Sequence, residues 1–320
     1  MQASVRTVLI LMLLPVMAAA QDADRMTAMR SAYADWLVRH EITGTGALAY
    51  RGVPATAIGN ASAPIELASV SKSITGLCAA ALSDSGQLAF DDSVRDVLGQ
   101  GPDVSIGSLV THTSGIVTDI TQGLMFLWLD TEGDRADVVL TMMKAPVGKP
   151  GVFAYNNVNY ALLGLVIEAS ADGTYEEICQ RYVLEPAGAR GQASPRSGGF
   201  ISWGGWAVSP RDLARVHSHW FGPQTSTGRD PFAYPHVALD GTEVYYGLGT
   251  AFRKNRADDG TFNFWHFGAL CFPSRFNIGA FAVTWGGEWT AVLGYNGCVD
   301  DAARQELDRV MSRAAYGPFQ

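Results

Sequence analysis

The sequence has 320 residues, of which 48% are hydrophobic and 17% are charged, and its formal net charge is -8. This balance excludes a disordered chain, and the length suffices for one large domain or two closely packed lobes. The acidic balance comes without any basic stripe, so nucleic acid is not an expected partner.

Residues 1–20 have the pattern of a cleaved signal peptide. Arg6 supplies a positive charge, residues 7–17 are apolar, and residues 18–20 are alanines, which predicts cleavage before Gln21. The apolar run is shorter than the ~20 residues that span a bilayer. We therefore expect export to the periplasm or the medium without stable membrane insertion; an uncleaved membrane anchor is the alternative.

Hydrophobic periodicity and turn residues predict the secondary structure. The predicted elements are helices over 23–40 and 69–84, strands over 46–50 and 55–58, helices over 175–182 and 210–220, strands over 245–252, 262–271, 276–285 and 288–295, and a helix over 301–314. Strands thus flank a mostly helical middle. This order predicts an α/β (α+β) fold, with an antiparallel sheet built from both termini, flanked by helices, and an inserted, mostly helical lobe. We expect one domain over 21–320, with the sheet lobe at about 21–66 and 240–320 and the helical lobe at about 67–239.

The cysteines and histidines show no metal-site spacing, so neither a metal nor a cofactor is expected. Cys78 lies in an apolar run and is predicted to be a buried thiol. Cys271 and Cys298 close the two ends of a predicted strand meander, and we hypothesise a disulfide between them, which export would permit. His217 and His219 lie two residues apart in a helical pattern and are expected on a solvated face.

Ser69 and Lys72 form an S-x-x-K pattern at the start of the helix predicted over 69–84. Residues three apart lie on one helix face. Lys72 is surrounded by the apolar stretch ASVSKSITGLCAAAL, which predicts that it is buried, and burial lets a lysine lose its proton near neutral pH. Lys72 can then take the serine proton, giving a nucleophilic Ser–Lys pair. The alternative is a helix-capping serine with an exposed lysine.

Tyr155 and Asn157 form a Y-x-N pattern just before an apolar helix. A tyrosine is a poor base unless a nearby cation favours its phenolate, and Lys72 is a candidate for that cation. Asn157 would hold Lys72 and a substrate carbonyl. A helix-capping loop is the alternative.

His266, Gly268 and Ala269 lie on the strand predicted over 262–271. A glycine in a strand permits a ligand to approach the backbone closely. The N–H groups of Ala269 and Ser69 would together form an oxyanion hole. The alternative is a core histidine on a sheet.

These three motifs, in this order, resemble the S-x-x-K, Y-x-N and K/H-[TS]-G signatures of the penicillin-recognising serine hydrolases. That family includes class C β-lactamases, D-alanyl-D-alanine carboxypeptidases and related esterases. The stretches ELASVSKSITG, GSLVTHTSGI, FAYNNVNYALLGLVIE and WAVSPRDLARV also resemble family segments, and the similarity covers roughly residues 25–315.

The resemblance implies a β-lactamase/transpeptidase-like fold and an acyl-enzyme mechanism with no metal or cofactor. It implies Ser69 as nucleophile, Lys72 and Tyr155 as shared acid and base, Asn157 as a substrate-orienting group, the N–H groups of Ser69 and Ala269 as an oxyanion hole, and His266 and Gly268 as members of the third signature. His112, in THTSG, is expected to have a structural role, holding a turn.

Three features depart from the family pattern or leave alternatives open. Phe267 replaces the small hydroxyl residue of the third signature, so an apolar ring would stand where a substrate carboxylate is bound. Trp203 or Trp206 would form the floor of an open site, or else pack in the core. Residues 123–129 would line an acyl pocket or form a core helix.

The sequence therefore predicts an exported serine hydrolase that acts on a small-molecule or peptide acyl substrate, with carboxylesterase-like activity favoured. The alternative activity is that of a β-lactamase or of a D-alanyl-D-alanine carboxypeptidase that binds penicillin. An alternative of another class is a catalytically weak protein that binds cell-wall peptide or penicillin. The oligomeric state is left open.

Overall fold

A computed structural model describes residues 4–143, 148–256 and 260–317, with backbone only for residues 4–20. The helices are α1 (Ser4–Arg39), α2 (Ser71–Asp84), α3 (Val94–Leu98), α4 (Ile106–Val110), α5 (Ala136–Met142), α6 (Asn157–Ser170), α7 (Tyr175–Cys179), α8 (Pro210–Trp220), α9 (Ser226–Arg229) and α10 (Asp301–Tyr316). The strands are β1 (Thr43–Tyr50), β2 (Val53–Ile58), β3 (Ile65–Glu66), β4 (Gly191–Ala193), β5 (Trp206–Val208), β6 (Val237–Ala238), β7 (Tyr245–Gly247), β8 (Thr250–Lys254), β9 (Phe262–Phe272), β10 (Phe276–Trp285) and β11 (Trp289–Asn296). Within the described part of the chain, no helix has both the length and the apolarity needed to cross a membrane.

The strands form a large and a small sheet. The large one has eight strands in the order β2-β1-β11-β10-β9-β8-β7-β6. It joins strands from both ends of the sequence, which confirms the predicted fold class. The single strand predicted over 245–252 is wrong, because a turn at Leu248 and Gly249 divides it into β7 and β8. The small sheet, in the order β3-β5-β4, was not predicted; β4 and β5 lie within the predicted helical lobe, and β3 immediately precedes it. Its strands have two or three residues each, too few to show the alternation from which a strand is recognised.

The chain divides into two compact units, one made of its terminal segments, up to Thr43 and from Val299, and one over Gly44–Cys298. In the first, the indole N–H of Trp36 donates to the Ala303 carbonyl at 3.0 Å, which joins α1 to α10. In the second unit, β9, which carries His266, Gly268 and Ala269, pairs with the buried strand β10. A disulfide joins Cys271 to Cys298, with their Cα atoms 5.6 Å apart, as hypothesised from the sequence.

The helix that follows the S-x-x-K motif is buried along most of its length. In α2, residues 71–80 are all buried, Cys78 among them as a free thiol. A Cβ added to Gly76 would lie 2.2 Å from the backbone carbon of Leu248, so only glycine allows this close packing. The turn that contains Leu248 and Gly249 therefore lies directly against the helix that carries Lys72.

His217 lies in the interior, so the predicted solvated face is wrong at this position. Its side chain is fully buried on α8, and its ring packs against Phe221 with the centroids 5.0 Å apart. The spacing of polar residues along α8 does not reveal the burial of His217. This helix has neighbours on more than one side, so a polar position can also lie in the interior. Burial lowers the pKa of His217 from 6.5 to about 3.

We expect the buried histidines to make the fold sensitive to acid. The folded-state pKa of His217 lies below its unfolded value of 6.5, so only the unfolded chain takes up this proton as the pH falls below 6.5. Each such histidine should therefore cost about 1.4 kcal/mol of unfolding free energy between about pH 8 and 5.5. Urea denaturation at both pH values measures this loss. The His217→Leu variant should lose about 1.4 kcal/mol less than the wild type over this interval, and an equal loss in both would contradict the assignment.

Candidate active site

Ser69 lies in a single 3-10 turn, Ala68–Val70, immediately before α2, rather than in the helix itself. Ala68 has a φ of +47°, which is uncommon for a residue with a side chain and indicates local backbone strain. Backbone strain of this kind persists only where the surrounding structure holds it in place, and it is frequent at functional sites. The turn presents Ser69 at the N-terminal end of a buried, rigid helix.

Strand β9 passes unusually close to this turn. A Cβ added to Gly268 would lie 2.5 Å from the carbonyl oxygen of Leu67 and 2.8 Å from the backbone nitrogen of Ser69. The predicted close approach to this glycine is thus made by the chain itself rather than by a ligand. Because Ala269 is the next residue on β9, the approach brings its backbone beside that of Ser69, where two N–H groups are needed for an oxyanion hole.

Lys72 is completely buried and directed towards Ser69. Its Nζ lies 3.4 Å from Ser69 Oγ, 2.7 Å from Asn157 Oδ1 and 2.7 Å from the carbonyl oxygen of Trp203. Burial lowers the pKa of Lys72 to about 7, and the charge of Asp119 partly opposes this effect. A neutral amine has two N–H donors and one lone pair. If Asn157 and Trp203 accept the two hydrogens, the lone pair is left for the hydroxyl of Ser69.

Asn157 is fixed by a carboxylate that the sequence analysis missed. Its backbone N–H donates to Asp119 Oδ2 at 3.2 Å, and its Nδ2 donates to Thr121 Oγ1 at 3.1 Å. Asp119 Oδ1 accepts in turn from the hydroxyl of Thr121 at 2.6 Å. The sequence contains one signal for this residue, because Asp119 is the only Asp, Glu, Lys or Arg between residues 104 and 129. Helix α6 is capped by Asn156, whose side chain accepts from Val158 N–H, so Asn157 is not the cap.

Tyr155 lies between Lys72 and His266. Lys72 Nζ lies 5.1 Å from the centre of the tyrosine ring, and the Tyr155 hydroxyl lies 3.3 Å from His266 Nε2. Desolvation raises the pKa of Tyr155, a hydrogen bond with Ser69 lowers it, and the charge of Asp119 raises it. Because the ring is 45% exposed, water limits the desolvation effect. Tyr155 is thus a protonated phenol at neutral pH, within hydrogen-bond reach of both Ser69 and His266.

The proton on His266 is located by its partner. His266 Nδ1 lies 2.5 Å from the carbonyl oxygen of Gly249, which can only accept, so Nδ1 carries the hydrogen. Burial, together with the charge of Lys72, lowers the pKa of His266 to about 3, so the ring is neutral. Its Nε2 is then an acceptor for the Tyr155 hydroxyl.

His112 supports the loop that carries Tyr155, in agreement with its predicted structural role. Its Nδ1 accepts from the backbone N–H of Asn156 at 3.2 Å, and its ring centroid lies 4.6 Å from that of Tyr155. Nε2 then carries the hydrogen and donates to the hydroxyl of Tyr246 at 3.3 Å. Desolvation lowers the pKa of His112 well below 6.5, so this arrangement persists at neutral pH.

The ring of Phe267 does not lie where the sequence analysis expected it. It stacks on Phe281 of β10, with the centroids 4.9 Å apart and the planes 11° apart. Side chains alternate along a strand, so Phe267 lies on the face opposite His266 and Gly268. Phe267 therefore removes a hydroxyl without placing an apolar ring before the substrate.

The structure decides the alternative at Trp203 and Trp206 and excludes the core helix over residues 123–129, whose role in an acyl pocket stays a prediction. Trp203 and Trp206 are buried, so neither forms an exposed floor of the site, although the Trp203 carbonyl holds Lys72. Residues 123–129 form turns rather than a helix. Phe126 and Leu127 are exposed in this segment, 43% and 63% respectively, while Trp128 is buried.

Comparison with known proteins identifies chains that are similar to this one. A family model described as Beta-lactamase matches residues 26–297. The Protein flp of Staphylococcus aureus is 31% identical over 135 residues, which are 38% of this chain and 26% of that protein. The match therefore spans about a quarter of the length of this curated relative.

Solved structures extend the similarity to the whole fold. A penicillin-binding protein from Bacillus halodurans aligns with a TM-score of 0.69 and 20% identity, over 89% of this chain and 98% of that one. A D-stereospecific amidohydrolase from Streptomyces sp. aligns with a TM-score of 0.69 and 18% identity, over 93% and 99% of the two chains. At such low identities these likenesses show a common fold.

Proposed function

The chain belongs to the Beta-lactamase family, a family of serine hydrolases, and from this premise we propose that it hydrolyses esters or amides through an acyl-enzyme on Ser69. We favour a carboxylesterase-like activity on small-molecule or peptide acyl substrates. The observation that carries the proposal is the buried amine of Lys72, 3.4 Å from Ser69 Oγ, with a pKa of about 7.

The proposed reaction uses the groups already placed around Ser69. Neutral Lys72 takes the Ser69 proton, directly or through Tyr155, as Oγ forms a bond to the substrate carbonyl carbon. The N–H groups of Ser69 and Ala269 stabilise the negative oxygen. When the bond to the leaving group breaks, Tyr155 donates its proton to the leaving oxygen or nitrogen, and the proton on Lys72 replaces it. Water then attacks the acyl-enzyme and gives a proton to the same groups. They return this proton to Ser69 Oγ as its bond to the acyl carbon breaks, which releases the carboxylic acid and free Ser69.

The proposal disfavours carboxylate-bearing substrates, because Phe267 and His266 do not form an anion receptor. Phe267 faces away from His266 and Gly268, and burial keeps the His266 ring neutral. A carboxylate-bearing substrate would lose its hydration on binding, and no positive charge or hydrogen-bond donor at this position would replace it. The alternative activity of a β-lactamase, or of a carboxypeptidase that binds penicillin, is supported by the similarity to a penicillin-binding protein.

Export is part of the proposal. The disulfide between Cys271 and Cys298 supports it, because such bonds persist mainly in oxidising compartments. The signal sequence predicted over residues 1–20 is consistent with that setting.

An alkyl fluorophosphonate, which reacts with activated serines, tests the proposed nucleophile. We expect peptide mass spectrometry to find a single adduct, on Ser69, and the labelling to abolish hydrolysis of p-nitrophenyl butyrate in the same proportion. Ser71 and Ser73 lie two and four residues from Ser69 and serve as internal controls, since both are buried. An adduct on either of them, or continued hydrolysis after complete labelling of Ser69, would refute the mechanism.

A further inference from the structure

Glu66 is a half-buried carboxylate that the proposed reaction does not use. It lies on β3, three residues before Ser69, and the hydroxyl groups of Ser194 and Ser197 donate to its two oxygens. Burial raises the pKa of Glu66, while the two serine hydrogen bonds and the charge of Arg196 lower it. No lysine, arginine or histidine in the described part of the chain forms an ion pair with Glu66. The carboxylate therefore holds two hydroxyl groups, and both come from one short segment that follows β4.

The hydrogen bonds to Glu66 fix the start of the serine segment, residues 194–205. Ser194 Oγ also accepts from two backbone N–H groups that follow it in the chain, at 2.9 and 3.0 Å, so this hydroxyl organises a tight turn. The backbone N–H of Ser194 donates to the carbonyl of Gly205 at 2.8 Å. A Cβ added to Gly205 would lie 2.0 Å from the carbonyl oxygen of Ser197, so the two ends of the segment are in close contact. The segment is thus a closed loop that Glu66 holds at its start.

The serine segment carries the carbonyl group that holds Lys72. Trp203 lies between the two ends of the segment, and its carbonyl oxygen accepts from Lys72 Nζ at 2.7 Å. The side chain of Trp203 is buried, so the carbonyl moves only when the segment moves. The N–H of Leu67, the residue after Glu66, donates to the Trp206 carbonyl at 3.0 Å. Hydrogen bonds from Glu66 and Leu67 therefore hold the chain on both sides of Trp203.

We propose that Glu66 is a positioning residue for Lys72, because it holds the serine segment so that the Trp203 carbonyl stays on the amine. This inference rests on the proposed function, in which neutral Lys72 takes the proton of Ser69. Asn157 and the Trp203 carbonyl each accept one N–H of the amine, which directs its lone pair towards Ser69. When the carbonyl moves away, the amine is free to rotate, and its lone pair points towards Ser69 in only a fraction of the molecules.

The position of this carbonyl also affects the protonation of Lys72. An ammonium group gains more from a carbonyl acceptor than a neutral amine does, so loss of the contact lowers the pKa of Lys72 below about 7. The other ionisable groups around Lys72 are Asp119, Tyr155, Tyr160, His112 and His266. The charges that act on Glu66 are those of Arg196 and Asp130 instead. A substitution at Glu66 therefore leaves the charges around Lys72 in place.

Substitutions at Glu66 test this role with p-nitrophenyl butyrate as substrate. Glu66→Ala should lower kcat by at least about tenfold with KM nearly unchanged, since a slightly misplaced reacting group has effects of this size. The midpoint of the acidic limb of kcat/KM should also move down by about half a pH unit. Glu66→Gln should retain kcat within about threefold, because its amide oxygen can accept from Ser194 while its amide nitrogen donates to Ser197.

Two further variants serve as a second test and as a control. Ser197→Ala removes one of the two hydroxyl donors to Glu66, so it should change kcat and the midpoint in the same directions by smaller amounts. It replaces Glu66→Ala if that variant does not fold, which a thermal melt of each sample shows. Asp300→Ala removes the hydrogen bond that caps α10, in the other compact unit. This control should lower the melting temperature but leave kcat and the midpoint unchanged.

The outcomes separate this inference from the proposed function. A lower kcat in Glu66→Ala with an unmoved midpoint would indicate a general loss of order and would overturn the inference. A loss of the same size in Glu66→Gln would assign the effect to the charge and would overturn it as well. In both cases the proposed function stands as long as hydrolysis requires Ser69. Equal rates for wild type and Ser69→Ala would overturn the proposed function and the inference together.

Discussion

Lys72→Met should lower kcat/KM for p-nitrophenyl butyrate by about 10³-fold, the scale of a lost general base. Methionine has nearly the same length and fills the same buried space, but it cannot take the proton of Ser69. The change leaves Asn157 Oδ1 and the Trp203 carbonyl without the donors now 2.7 Å away. Two such acceptors cost about 1–3 kcal/mol each, which a domain of about 5–15 kcal/mol can usually withstand. Steady-state kinetics with a thermal melt of the same sample measure both effects.

The pH dependence shows whether Lys72 acts through its free amine. With a pKa of about 7, the amine is protonated below pH 7, so wild-type kcat/KM should fall about tenfold per pH unit there and level off above it. His266, with a pKa of about 3, should not contribute in this range. The residual activity of Lys72→Met should lack this limb. A wild-type profile that is flat from pH 8 to about 5 would show that Lys72 is not the base.

The sequence reveals the groups whose chemistry depends on near neighbours in the chain. Ser69 and Lys72 are three residues apart, so the 3-10 turn and the first turn of α2 bring them together, and the apolar stretch around Lys72 predicts its burial correctly. The strands near the C-terminus are rich in aromatic and β-branched residues, so most of the large sheet was predictable. The disulfide between Cys271 and Cys298 followed from the ends of the strand meander.

Features that depend on distant contacts were missed. Asp119 is functionally interesting only because its loop folds onto Asn157, which lies 38 residues away. His217 has a polar helical context, yet the fold buries it. The orientation of Phe267 was within reach of the sequence, because adjacent strand residues face opposite sides. The third signature specifies the type of residue at this position, whereas strand alternation specifies the direction of its side chain.

Gly268→Ala should reduce kcat/KM by at least about 10²-fold, the effect of losing one oxyanion-hole donor. The added methyl group would lie 2.5 Å from the Leu67 carbonyl oxygen and 2.8 Å from the Ser69 nitrogen. Both contacts are with backbone, so no side-chain rotation relieves them, and the turn that holds Ser69 must move away from β9. The N–H groups of Ser69 and Ala269 would then no longer form the proposed oxyanion hole.

Gly123→Ala is the matched control for this substitution. A Cβ at Gly123 meets no atom within 4 Å, so this variant should retain kcat/KM within about twofold. Because the hole stabilises the transition state rather than the substrate, the loss in Gly268→Ala should appear in kcat with little change in KM. A loss confined to KM would show that the close approach at Gly268 serves substrate binding. Equal activity in the two variants would show that β9 does not contribute to the oxyanion hole.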